Sequence, residues 1–298
     1  MEIPSQSELT YILSSAPDVF TIDVEDWFHI LEVAGTPNLT EWDSLPSHVE
    51  TNFMALLDLL AEWDVRATCF VLGRVAKRFP KLIREASERG HDIASHGHSH
   101  QNVRLLSRAE FREDIRTAKA AIEDAIGGAV FGYRAPGFSI TQGTPWAFEE
   151  IVEVGYAFDS SVFPAHHGHG GMPESPRHPH LINSAAGHLI EFPVTIANTP
   201  FGPQCFFGGG YLRLFPLWLI QTMAKSVRTE GRGVVWYIHP REIDPDHPRI
   251  QMSLKRSFKS YVNLGGTRGK LNAILRRGNF TTFGELAARF SEAKQANV

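Results

Sequence analysis

The order of apolar runs along these 298 residues predicts an α/β fold on a mostly parallel sheet, either open or closed into a barrel. Three observations carry that expectation. Short β-branched runs alternate with amphipathic helical patterns. Several of those helical patterns open on recognisable capping residues. The polar residues with chemical potential fall just after the strand runs, which is where parallel sheets gather chemistry. The chain is long enough for one large domain or two small ones with a closed core.

In chain order, strands are expected at Val19–Val24, Ala67–Leu72, Asp92–Ser95, Val130–Tyr133, Ala157–Asp159, Leu189–Thr195 and Val234–His239. Between the first two, Ser47 and Glu50 have capping-box spacing ahead of Phe53, Leu56, Leu57 and Leu60. Ser107 and Glu110 repeat it before Phe111, Ile115 and Ile122, as do Thr282 and Glu285 near the end. Thr144 with Pro145 fits an N-cap followed by proline at the first helical position. Residues 164–188, rich in His, Pro and Gly and without periodicity, read as a long loop bordering the site. Residues 206–213 form a glycine-rich entry into an apolar helix, and no lysine follows as a phosphate loop demands.

Composition excludes several classes. Hydrophobic residues make up 43% and charged residues 21%, as in a soluble globular protein. A formal charge of -4 with both signs mixed leaves no footprint for nucleic acid. Two cysteines, Cys69 and Cys205, cannot build a disulfide framework. The first residues lack a basic segment followed by an apolar one, and no apolar run approaches the length of a membrane span. The expected location is therefore cytoplasmic, with action at the inner membrane face left open.

The densest chemical signal is Ser95-His96-Gly97-His98-Ser99-His100. On a helical turn, positions i and i+4 share a face, so His96 and His100 can close on one metal ion while His98 points elsewhere. A catalytic metal of the zinc type needs a third protein ligand and an open position. The run Asp23-Val24-Glu25-Asp26 after the first strand offers carboxylates whose mutual repulsion a divalent cation relieves. Strand alternation puts Asp23 and Glu25 on one side, with Asp26 where the strand ends. Arg134, Asp159 and His239 follow later strands on the same edge.

Taken together, these segments resemble the NodB-homology polysaccharide deacetylases of carbohydrate esterase family four. The carriers are Thr21-Ile22-Asp23, His96 with His100, Arg134-Ala135-Pro136-Gly137-Phe138, Asp159 in Phe158-Asp159-Ser160-Ser161, and Trp236-Tyr237-Ile238-His239. Val24, Gly97 and Trp236 depart from the family pattern. A finer similarity, to deacetylases of exopolysaccharide and exosortase gene clusters, rests on Asp23–Phe28, Gly208–Arg213 and His239–Asp244. The resemblance implies a distorted (β/α) barrel of about seven parallel strands, with a deacetylase domain over residues 1–242 and a C-terminal helical extension over 243–298 packed on it.

It also implies a metal-dependent hydrolase that removes N-acetyl groups from amino sugars of an exopolysaccharide or its lipid-linked precursor. Asp23 would be the base, His239 the acid, Arg134 the group that holds the base, Gly137 an oxyanion N–H donor, and Asp159 the residue that orients His239. A divalent ion, zinc, would be held by His96, His100 and one of Glu25 and Asp26. Glu242 and Asp244 read as solvent-facing loop carboxylates. Trp27, Phe138 and Tyr211 are candidates for a sugar-stacking floor, and Arg213 for a hydroxyl-rich or anionic ligand. Hydrolysis of a cyclic amide or imide on the same scaffold, and an inactive polysaccharide-binding protein, remain alternatives at this level.

Overall fold

A computed structural model describes residues 17–168 and 170–296. The leader-peptide reading of residues 1–16, and His169 of the long loop, lie outside the described residues.

The elements run β1 (Asp18–Val24), α1 (Val49–Ala61), β2 (Thr68–Val71), α2 (Gly73–Arg78), α3 (Pro80–Glu88), β3 (Asp92–Ser95), α4 (Arg108–Ile126), β4 (Gly132–Tyr133), α5 (Trp146–Glu153) and β5 (Phe158–Asp159). Then follow β6 (His180–Ser184), β7 (Gly187–Glu191), β8 (Ala197–Thr199), β9 (Gly202–Gln204), α6 (Gly209–Leu214), α7 (Leu217–Thr229) and β10 (Val235–Ile238). The chain continues through α8 (Leu254–Tyr261), α9 (Thr267–Leu275), β11 (Phe280–Thr281) and α10 (Phe283–Ala296).

The main sheet has the order β10-β1-β2-β3-β4-β5-β7-β6, parallel except for the antiparallel edge strand β6. Each of the seven expected strands is present within it. The ladder does not close. On the open side, Thr195 Oγ1 accepts from the Val235 amide at 2.8 Å, and Gly208 bridges Tyr237. A side-chain bond and a single bridge there take the place of a continuous strand pairing. β11 pairs with the first residues of β1, below the point where β2 begins.

Strand alternation explains how one sheet serves two purposes. In β1, Phe20, Ile22 and Val24 face outward into the core beneath α1 to α5 and α7, with Cys69, Val71 and Ile93 from the neighbouring strands. Val19 faces the concave side, in a second cluster with Phe70, Ala94, Phe158, Phe192 and Val235. That cluster is plugged by α10 through Phe283, Leu286, Ala287 and Phe290. Phe283 stacks on Phe192 at 4.7 Å. The plug is pinned by polar bonds as well, from the Phe283 amide to Thr68 Oγ1 and from the Gly284 amide to Asp92 Oδ2, each 2.9 Å. Side chains of this size, fully buried, are each worth about 1.5–3 kcal/mol. Gly132 is fixed by the same cluster, because a Cβ there would lie 2.2 Å from the Phe158 ring.

Three of the four expected caps differ in detail. Ser107 and Glu110 form the full capping box of α4. Thr282 Oγ1 accepts from the Glu285 amide at 3.2 Å, while the Glu285 side chain turns to Thr281 and Arg66. Ser47 does not cap α1, whose N-cap is His48. Its hydroxyl donates instead to Asp26 Oδ2, a stronger acceptor than its own helix offers. Thr144 Oγ1 accepts from the Thr141 amide, and Pro145 is the N-cap of α5. Among the described residues no helix is long and apolar enough to cross a membrane.

Candidate active site

The concave face of the sheet is apolar at its lower end and polar at its upper end. The odd residues of β1 run Val19, Thr21, Asp23; those of β10 and its exit run Val235, Tyr237, His239. His96 leaves β3 and Arg134 leaves β4 in the same sense, two residues beyond Ala94 and Gly132. Parity therefore delivers a carboxylate, an imidazole, a guanidinium and a second imidazole to one rim. Asp23 and His239 of this set line a cavity of about 270 Å³, whose wall also includes Glu25, His100 and Gly137.

Glu25, His96 and His100 form the one group among the described residues able to hold a metal ion. Glu25 Oε1 lies 2.8 Å from His100 Nε2 and 3.1 Å from His96 Nε2, and all three side chains are buried. His96 Nδ1 faces the Arg134 carbonyl at 2.8 Å, which fixes the ring and turns Nε2 toward Glu25. Burial pushes the Glu25 carboxyl pKa up, but His100, His239 and His96 outweigh it and hold it well below the usual carboxylate range. Two imidazoles and one carboxylate converging from one side suit a divalent cation with open positions.

The histidines do not converge by helical geometry, as their spacing suggests. Residues 96–100 are a loop, with Gly97 at φ 77 and His100 at φ 48. Asp114 of α4 pins this loop by accepting from the His98 and Ser99 amides, at 2.8 and 3.0 Å. A Cβ on Gly97 would lie 2.9 Å from Asp114 Oδ2, so glycine is needed both for its φ and for that contact. The His98 ring packs over Gly73, outside the metal group.

Asp26 is not part of the cluster. Its carboxylate accepts from the Trp27 and His48 amides, at 2.9 and 3.1 Å, and from Ser47, which ties β1's exit to the start of α1. The carboxylate that the structure brings to the two histidines is Glu25, on the same side of the chain as Asp23.

Asp23 and His239 lie side by side on the cavity wall with different supports. Arg134 Nη1 donates to Asp23 Oδ1 at 2.7 Å, and its remaining donors go to Thr21 Oγ1, the Ser160 carbonyl and Ser160 Oγ. Its guanidinium also stacks on Phe70, 4.0 Å from the ring centre. Asp23 Oδ2 is left 3.8 Å from His239 Nε2, which is 3.9 Å from Glu25 Oε1. The other face of His239 is held by Glu242, whose Oε1 lies 2.5 Å from Nδ1. Burial disfavours the imidazolium, yet Glu25 and Glu242 together raise the His239 pKa. Burial works against the Glu242 carboxylate too, but Arg213, His239 and Arg241 bring its pKa down to about 2.

Two expectations are corrected here. Asp159 does not orient His239. It sits one residue out of phase with the site, on the face opposite Phe158 and Ser160, and bonds Ser161 and Glu191. Glu191 is its register partner in β7. Glu242, expected in solvent, is fully buried and takes that orienting position. The signal was present in the sequence as the i, i+3 spacing of His239 and Glu242, which form a capping box around a single 3-10 turn.

Arg213 reaches Glu242 Oε2 at 2.7 Å, and the carbonyls of Lys259, Ser260 and Val262 at 2.8 to 3.1 Å. Its donors are committed to the protein, so it supports Glu242 rather than a ligand. Trp27 is buried against Phe28, with Nε1 donating to the Pro46 carbonyl at 2.8 Å, and is not on the cavity wall. Phe138, at φ 53 after Gly137 at φ 61, is on the wall, as is Tyr211. The 164–188 loop meets the same cavity through His167, which lies against Phe163 at 4.6 Å. Sequence reading passed over two further wall residues, His29 and Arg241.

Comparison with known proteins agrees with this geometry. Residues 39–156 match the family model "Polysaccharide deacetylase". That stretch is similar to the polysaccharide deacetylases and holds His96, His100 and Arg134. Residues 160–288 match a second model, described as a domain of unknown function (DUF3473). A peptidoglycan-N-acetylglucosamine deacetylase of Bacillus cereus is 31% identical over 96 residues, 32% of this chain and 35% of its own length. A chitooligosaccharide deacetylase of Sinorhizobium fredii is 39% identical over 70 residues, 24% of this chain and 33% of its own. The chain thus spans about a third of the length of these curated relatives. A Mycobacterium smegmatis crystal structure assigned as a polysaccharide deacetylase aligns over 93% of this chain and 90% of its own, with a TM-score of 0.63 at 21% identity. That likeness shows the fold.

Proposed function

We propose that this protein is a metal-dependent N-deacetylase of amino-sugar polymers, acting on an exopolysaccharide or its lipid-linked precursor. The observation that carries the reading is the placement of Asp23, ion-paired to Arg134, beside His239, bonded to Glu242, at the Glu25–His96–His100 group. Amide hydrolysis needs both functions. A base must take the proton of the attacking water, and an acid must protonate nitrogen, since an unprotonated amine is a poor leaving group.

When bound, a divalent ion supplies polarisation of the acetamide carbonyl and a more acidic water. Glu25, His96 and His100 would hold it. Asp23 takes the water proton at Oδ2, the oxygen that Arg134 leaves open. The Gly137 amide, on a left-handed turn at the cavity wall, donates to the developing oxyanion. His239 passes the proton on Nε2 to the departing nitrogen, while the Glu242 carboxylate at Nδ1 stabilises the imidazolium.

The test is acetate release from N-acetylated oligosaccharides. Wild type should release acetate, lose that activity on chelation and regain it with added zinc. Asp23→Asn and His239→Ala should each lose about 10²–10⁴-fold in kcat while keeping the metal. Turnover that survives chelation or Asp23→Asn would end this reading.

A further inference from the structure

Among the guanidinium groups at or just behind the catalytic cavity, Arg134, Arg213 and Arg241 are not equivalent. Every guanidinium nitrogen of Arg134 is bonded, to Asp23, Thr21 and Ser160. Every one of Arg213 is bonded too, to Glu242 and three main-chain carbonyls. Arg241 lines the same cavity, yet its Nε and Nη1 are buried with no hydrogen-bond partner. A guanidinium is always charged, and a buried charge without a partner is costly. The acids that share this wall are already committed, Asp23 to Arg134, Glu25 to the histidine pair, and Glu242 to Arg213 and His239.

A second unpaired donor lies on the wall. His29 Nδ1 accepts from the Asp26 amide at 2.9 Å, which places its proton on Nε2. That N–H is buried, lines the cavity and has no acceptor. The surrounding field has the same sign. Residues 247–284 contain eight Lys and Arg and no Asp or Glu, in a chain of net charge -4. From this segment Arg256 and Lys259 reach the cavity wall.

We infer that Arg241 and His29 form an oxyanion subsite beside the scissile amide, for a carboxylate or phosphate group carried by the saccharide. The inference rests on the deacetylase reading for its link to turnover, but the subsite itself can be measured without turnover. A guanidinium offering Nε and one terminal nitrogen matches the two oxygens of such a group, and an imidazole N–H adds a third donor.

The experiment uses the full chain and three N-acetylglucosamine substrates: a neutral chitin oligomer, a hyaluronan oligosaccharide carrying carboxylates, and UDP-N-acetylglucosamine carrying a diphosphate. In parallel, calorimetry measures binding of D-glucuronate and of inorganic phosphate to the metal-free protein. Wild type should favour one acidic substrate over the neutral one by tenfold or more in kcat/KM, and which of the two is favoured identifies the source of the anion. In Arg241→Gln that ratio should fall toward one and anion affinity should drop at least tenfold. Arg277→Gln, an exposed arginine of the same basic segment, should keep both. Arg241→Lys, which keeps the charge and loses the fork, should fall between and serves if the glutamine variant does not fold. Equal use of neutral and acidic substrates by wild type, or a preference that survives in Arg241→Gln, overturns the subsite. Anion binding that depends on Arg241 in a protein that releases no acetate sustains the subsite and removes the deacetylase reading instead.

Discussion

The two sides of the reaction centre are built differently. Asp23 is held from within the sheet, by the guanidinium at the exit of β4, three strands along, which also bonds Thr21 of β1 and Ser160 after β5. His239 is held by a relay that leaves the sheet, from Glu242 to Arg213 and on to the carbonyls of Lys259, Ser260 and Val262. Asp23 depends on the strands of the central sheet. His239 depends on α6 and on the end of α8, within the part of the chain matched by the second family model. The difference teaches that this later region does more than cover the domain, since it carries the scaffold of one of the two titrating groups.

The largest expected effect tests that division. Arg213→Met leaves buried Glu242 with His239 alone, and breaking a buried ion pair from one side costs about 3–5 kcal/mol. Urea unfolding should show a loss of that order, and hydrogen exchange should speed up over residues 259–262 more than in Arg134→Met. Equal exchange in the two variants would dissolve the distinction between the two sides.

Glu242→Gln comes next. It keeps the shape but removes the charge opposite Nδ1, so kcat on N-acetylated oligosaccharides should fall about 10–100-fold, with the alkaline limb of the pH profile moved to lower pH. Asp159→Asn should change kcat by less than about threefold. If the two variants exchange these outcomes, the orienting role returns to Asp159.

The smallest effect concerns the buried pair behind Arg134. Burial, and then the neighbouring Asp159 carboxyl, raise the Glu191 pKa well above its usual range, and Asp159 is raised as well by burial. A carboxyl whose folded pKa is raised gives its full stabilisation below the unfolded value, and loses it as pH rises through the folded value. Melting temperature should therefore decline with rising pH above the ordinary glutamate range. Glu191→Gln should flatten that decline and gain about 1 kcal/mol at the alkaline end. A pH dependence identical to wild type would mean the pair does not share its proton.

Much of this arrangement is legible in the sequence because strand parity is a strict rule. Seven strands, the outward and inward faces of β1, and the arrival of Asp23, His96, Arg134 and His239 on one rim all follow from a period of two. Asp159 shows the limit of that rule. Read as a strand-end residue it belonged with the others, but a shift of one position sends it to the far face, and only pairing with β7 reveals the register. Glu242, expected in solvent, and Arg213, expected on a ligand, pair with each other instead, and sequence does not reveal it for another reason. Both sit in loop or short helical segments, and buried charges there are recognised only when their partners, far apart in sequence, are brought together. A spacing of four fits a helical turn and the observed loop from His96 to His100 alike, and the positive φ of Gly97 is what separates them.

The plug at the lower end of the sheet has a consequence for how the molecule is made. Thr68 and Phe283 are bonded across 215 residues, and β1 finds β10 across a similar distance. Until those later segments are synthesised, the nascent chain displays Phe70, Phe158 and Phe192 on an unfilled concave surface, and β1 has an unpaired edge. Such long loops slow the closing step, and the exposed surface is adhesive while it lasts. Expression of this chain should therefore respond to temperature and to chaperone supply more sharply than its finished core would suggest.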